Sequence, residues 1–131
     1  MQTYRGVEIT DSYFTGHPSM IFSTLVRSIS AICRFDRPVY LYYIGVASGC
    51  DYYSALSRRV DEKKLEYQTT RMNLIYQSSS EQNTRLLEKQ LVKRFQHVKA
   101  DDRVWNSTGG GGGRRGSGPL FFLYLATSQA T

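Results

Sequence analysis

A tyrosine-rich run, two adjacent arginines, one glutamate beside an apolar stripe and one asparagine before glycines are the residues with the most chemistry to offer. Tyr43 lies in the run, Arg58 and Arg59 follow, then Glu88, Asn106 and finally the pair Arg114 and Arg115. A guanidinium presents a planar fork that matches phosphate oxygens. A single carboxylate is enough protein ligand for Mg²⁺, which keeps several of its waters. A free phenol is only about one part in a thousand ionised at neutral pH, so a tyrosine base needs neighbours that lower its pKa. Each residue also has an ordinary alternative: Tyr43 as core on a strand, Arg59 in helix ion pairs with Asp61 or Glu62, Glu88 solvated beside Lys89 or Lys93, Asn106 as a turn residue. Other chemistries find little support. His17 and His97 are isolated, no Ser/His/Asp or Cys/His set stands out, and Cys33 and Cys50 form no CxxC pair. The glycines at 109–113 lack the GxxxxGK[ST] pattern of a phosphate loop.

The bulk properties agree with a polyanionic partner without requiring one. The 131 residues suit one compact domain, 40% of them are hydrophobic, and the net charge is +6 with a pI near 9.5. A positive field of that kind attracts nucleic acid. Two cysteines are too few for a disulfide framework and point to a reducing compartment. The N-terminus lacks a basic-then-apolar signal pattern, and no apolar run approaches the roughly 20 residues of a membrane helix, so a soluble intracellular protein, cytoplasmic or nuclear, is expected.

The elements that must position these residues follow from periodicity. Residues 1–19 read as a polar arm, and a strand is expected over 28–35. The β-branched and aromatic run 39–46 predicts a central strand, with Gly45 marking a bulge or a close approach to the backbone. Ser54 is the expected cap of a helix to about Tyr67, with Leu56, Val60 and Tyr67 on one face. A short strand is expected over 71–76. Ser78 and Glu81 form a capping-box pattern before a helix to about Val98, whose stripe is Leu87, Leu91, Phe95 and Val98. Leu120 to Leu125 predicts a last strand. The fold class is α+β, a mixed or antiparallel sheet of three to four strands flanked by helices. The expected organisation is an arm at 1–27 and a core at 28–131 that includes the glycine-rich loop 109–118.

The order of motifs resembles the GIY-YIG nuclease superfamily: YIG at Tyr43-Ile44-Gly45, an arginine on the next helix in SALSRRV, a glutamate in SEQNTRLLEKQLVKRF, then Asn106 and glycines. The resemblance spans roughly residues 28–125. It implies a divalent-metal-dependent endonuclease acting on DNA, RNA not being set aside, with a homodimer as one possible assembly. Tyr43, Arg59, Glu88 and Asn106 would be catalytic, with Glu88 the ligand of Mg²⁺ or Mn²⁺. Arg58, Lys63, Arg114 and Arg115 would contact substrate. Two departures stand out. No GIY triplet precedes the YIG strand, since Ser30-Ala31-Ile32 and Ala31-Ile32-Cys33 lack its tyrosine. The interval from Tyr43 to Arg59 is also longer than in the commonest members. GPLFFLYL near the C-terminus resembles a GIY-type strand out of place, as a rearranged strand order would produce.

A metal-dependent site drawn from these residues requires Tyr43, Arg59 and Glu88 to converge on one face of the sheet, around a gap of about 5–10 Å. The alternative reading is a catalytically weakened module of the same type that binds nucleic acid or a protein partner without cutting.

Overall fold

The computed structural model describes residues 2–35, 39–67, 69–98, 103–104, 106 and 118–129. The architecture is α+β, as expected, but the sheet has five strands because the first ten residues contribute two of them. Strands β1 (Gln2–Tyr4) and β2 (Val7–Thr10) form a hairpin whose turn residues Arg5 and Gly6 have φ of 50° and 82°. Positive φ at both turn positions matches the twist of an antiparallel pair. Val7 and Ile9 then alternate inward, so the expected polar arm is in fact an edge of the sheet.

Helix α1 (Pro18–Phe35) replaces the strand expected over 28–35, and the boundary expected after residue 27 falls inside it. Its buried residues Leu25, Ile29 and Cys33 recur every fourth position, a helical period that the window 28–35 alone is too short to reveal. Then come β3 (Val39–Gly49), α2 (Tyr52–Tyr67), β4 (Arg71–Ser78), α3 (Glu81–Lys93), a π-helical turn (Arg94–Val98) and β5 (Leu120–Gln129). The sheet order is β1-β2-β4-β5-β3, with β2 and β4 parallel and the other neighbours antiparallel. The last strand of the chain therefore lies between β4 and β3. Its residues 121–128 are all buried, as a strand covered on both faces requires.

Two core clusters divide the molecule. On one face α1 and α3 pack Leu25, Ile29, Leu87 and Leu91 against Tyr42, Ile44 and Val46 of β3. On the other, α2 packs Leu56 and Val60 against Ala47, Leu74, Phe122 and Tyr124. Successive β3 side chains thus alternate between layers, and Tyr42 and Tyr43 face opposite ways as the alternation predicts.

The helix caps sit beside the expected ones. Asp51, not Ser54, opens α2: its carboxylate accepts from the Ser54 amide (2.9 Å) and hydroxyl (3.1 Å). Ser80, not Ser78, caps α3 by accepting from the Asn83 amide at 3.1 Å, while the Ser78 hydroxyl accepts from the Ser80 amide. Helix α2 is also tied to the hairpin. Arg5 and Tyr4 both bond Asp61, at 2.9 and 3.2 Å. Tyr53 donates to the Thr3 carbonyl. Tyr52 donates to Gln2, and its phenol is held above its ordinary pKa of 10.0 by burial, then by Asp11 and Asp51, which keeps it a neutral donor at physiological pH.

Cys33 is buried and Cys50 exposed, both as free thiols. Among the described residues no helix is long and apolar enough to cross a membrane.

Candidate functional site

Strand β3 carries Tyr43, and its register with β5 decides what surrounds that residue. Gly45 pairs with Tyr124, and Tyr43 with Ala126, so Tyr43 and Tyr124 are diagonal neighbours on the α2 face. Their ring centroids are 6.2 Å apart with planes tilted by 35°. Tyr124 is fully buried and Tyr43 half-buried, so the pair runs from the core to the surface. Gly45 makes this possible. A Cβ there would stand 2.5 Å from Tyr124 Cζ and 2.6 Å from Tyr43 Cε1, and closer still to the Tyr124 hydroxyl. The close approach expected at Gly45 is that of the Tyr124 ring.

Arg59 lies on α2, in the layer over this face, and is half-buried. It sits about 60° round the helix from buried Leu56, where a long side chain can lay its stem on the core and keep its head at the rim. Arg58 points outward and folds back so that Nη2 donates to the Ser48 carbonyl at 2.5 Å, bracing the β3–α2 turn. Lys63 falls within α2, but its side chain lies outside the described residues, as do Arg114, Arg115 and the glycines at 109–113.

Asn106 grips the outer edge of β3. Its Oδ1 accepts from the Ile44 amide at 3.0 Å and its Nδ2 donates to the Ile44 carbonyl at 2.8 Å. Gln96 Nε2 in turn donates to the Asn106 carbonyl at 2.6 Å. Nearby, the Tyr42 amide donates to the Arg103 carbonyl, and Val104 bridges to Tyr42. An exposed edge would leave these groups unpaired, and Asn106 braces the Tyr43 strand with two side-chain bonds. Asn106→Ala is expected to raise the hydrogen-exchange rate of the Ile44 amide by tenfold or more, from two lost bonds of about 0.5–1.5 kcal/mol each. An unchanged rate would show that the edge is held without Asn106.

Glu88 requires a correction. It was expected at the border of the α3 stripe, facing the same gap as Tyr43. Instead it is 6% exposed and lies in the middle of the buried arc formed by Thr84, Leu87, Leu91 and Val92. That arc packs on the face of the sheet opposite α2, so Glu88 does not share a face with Tyr43 and Tyr124. Arg85, three residues earlier on the same helix, approaches to 3.9 Å and also meets Glu81 at 3.5 Å. The one-sided gap between Glu88 and Arg59 is therefore not formed.

A divalent cation held by Glu88 does not fit this arrangement. The carboxylate is enclosed in a helix–sheet interface with a guanidinium beside it, on the far side of the sheet from the tyrosines. Among the described residues no three His, Cys, Asp or Glu side chains gather in a metal-like group.

Tyr124 is the residue that sequence reasoning left unassigned. Its signal was the GPLFFLYL string, but its partnership with Tyr43 depends on β5 lying beside β3, which no local pattern reveals. No family model, curated protein or solved structure matches the chain.

Proposed function

We propose that this chain is a GIY-YIG-like module that binds the phosphodiester backbone of nucleic acid on the Tyr43/Tyr124 face and does not cut it. The supporting observation is the joining of Tyr43, Tyr124 and the arginine helix α2 on one face while Glu88 is buried on the other. The cutting chemistry that the resemblance implies uses a cation where charge builds on the phosphate. A site that binds needs only positive potential and hydrogen-bond donors, which the +6 chain, Arg59 and the half-buried Tyr43 phenol supply.

The second reading is the metal-dependent endonuclease. What favours it is Tyr124: a strand that ends the chain in sequence supplies a second tyrosine next to the YIG tyrosine, where the motif order lacked one.

One experiment separates the two. The protein is incubated with supercoiled plasmid and Mg²⁺ or Mn²⁺, and binding to labelled duplex DNA is measured in parallel. Binding without nicking is expected. Affinity should fall steeply with salt as counterions are released, by on the order of tenfold or more between low and moderate salt for even a few phosphate contacts. Arg59→Ala should weaken binding and flatten that slope. Salt-independent binding would point to a protein partner. Metal-dependent nicking that Glu88→Gln abolishes would establish the second reading.

A further inference from the structure

A pocket unrelated to the tyrosine pair opens where β2 ends and the chain crosses to α1. It holds about 690 Å³ and is lined by residues of the 10–14 segment, by Ser28 and Ile32 of α1, and by Asn73 and Leu74 of β4. The crossing segment is held in place: the Phe14 amide donates to the Ile75 carbonyl, and the Gln77 amide to the Phe14 carbonyl. Tyr13 and Phe14, which line the mouth, are nevertheless each 42% exposed. Two adjacent large rings held outward by a pinned backbone form an apolar surface with no core to cover.

The floor carries the specificity. Asn73 is 4% exposed, and its Nδ2 donates to the Leu125 carbonyl at 3.0 Å. A carbonyl accepts only from the amide nitrogen, so this bond fixes which end of the side chain is which. Oδ1 is thereby the remaining polar atom of a residue that lines the cavity, and among the described residues nothing donates to it. That acceptor is open to a hydrogen-bond donor on a molecule in the cavity. The other polar groups lining the pocket are the hydroxyls of Thr10, Ser12, Tyr13 and Ser28, and the Asp11 carboxylate.

We infer that this pocket binds a nucleobase bearing an exocyclic amino group, with Asn73 Oδ1 accepting from that group and the Tyr13 or Phe14 ring stacking on the base. The volume lies within the range of small-molecule sites. A phosphate is disfavoured, because the charged residue in the lining is Asp11 and none of the lining residues is Lys or Arg. A cationic ligand is disfavoured by the field of the +6 chain. A neutral planar ring with a hydrogen-bond donor matches both the Asn73 acceptor and the exposed aromatics, and every base has a face on which such side chains stack. Adenine, cytosine and guanine carry the amino donor; thymine and uracil do not.

The pocket needs no phosphate contact, so the test uses free nucleosides. Adenosine, cytidine, uridine and deoxyribose 5-phosphate are titrated into the labelled protein and followed by amide NMR. Adenosine and cytidine should shift the signals of Ser12, Tyr13, Ser28 and the Asn73 side-chain amide. Uridine should bind roughly three- to tenfold more weakly, the value of one hydrogen bond. Tyr13→Ala, at an exposed position that leaves the core intact, should weaken adenosine by at least about fivefold. Equal shifts from all four ligands, shifts confined to the Tyr43 face, no shifts at all, or an unaltered Tyr13→Ala affinity would each overturn the assignment. Because no nucleoside carries the backbone, any of these results leaves the plasmid-binding experiment to judge the backbone reading separately.

Discussion

Gly45→Ala is expected to destabilise the protein by about 1–3 kcal/mol, the range for forcing extra methyl groups into a packed core. The added Cβ would meet Tyr124 Cζ at 2.5 Å and Tyr43 Cε1 at 2.6 Å. Tyr43 is half-buried and can swing outward, but Tyr124 is enclosed between β3, β5 and α2 and cannot. The strain therefore falls on the β3–β5 pairing, whose register runs from Val39 to Gly49 and holds the sheet's outer strand. Urea unfolding reads the loss as a lower midpoint with an unchanged slope. A double-mutant cycle with Tyr124→Leu makes the cause specific: the smaller side chain frees the space above residue 45, so the two changes should be less than additive. Additive losses, or a Gly45→Ala protein as stable as the parent, would mean that the Tyr124 ring does not depend on Gly45. The same variant should bind nucleic acid less tightly, because the displaced ring is the one at the surface of the proposed face.

The elements legible in the sequence are those whose pattern is strong over their whole length. The aromatic run of β3, the Leu87, Leu91 and Phe95 stripe of α3 and the apolar β5 each announce themselves, and each lies where expected. Helix α1 was concealed because its signal lies in the spacing of Phe22, Leu25, Ile29 and Cys33, while the window 28–35 alone is too short to show that period. The β1–β2 hairpin was concealed for a different reason. Two strands of three and four residues offer too few positions to show a period, and Arg5-Gly6 is a weaker turn signal than Asn-Gly. The candidate site divides along the same line. Local pattern placed Tyr43 on a strand and Arg59 on the flank of a helix, whereas the hold of Asn106 on β3 joins residues 62 positions apart. Tyr124 and Glu88 depended on tertiary relations: which strand fills the centre of the sheet, and which layer each helix joins.

Glu88 misled for a physical reason that also makes it the residue with the most to reveal. A charged residue one step from an apolar stripe ordinarily lies at the boundary, because an ionised carboxylate is rarely enclosed. Here the buried arc of α3 is wider than the stripe and includes Thr84 and Val92, so the boundary passes beyond Glu88. Removal of its side chain is therefore not the neutral change that a rim position would allow. Glu88→Ala is expected to destabilise by about 1–3 kcal/mol, through a cavity under the sheet and a change in the charges around Arg85. Glu88→Leu fills the space without a charge to desolvate. It is expected to lose less stability than Glu88→Ala, because the space stays filled while Arg85 loses the same partner in both variants. DNA affinity should be unchanged in Glu88→Leu, since Glu88 and the tyrosine face lie in different layers. Thermal unfolding and duplex binding on the two variants decide between roles. A Glu88→Leu protein that is stable and binds DNA normally identifies Glu88 as a structural group. A stable Glu88→Leu protein that loses a metal-dependent nicking activity of the parent would place the carboxylate in an active site reached from the α3 side, and would overturn the proposal that the backbone is held without being cut.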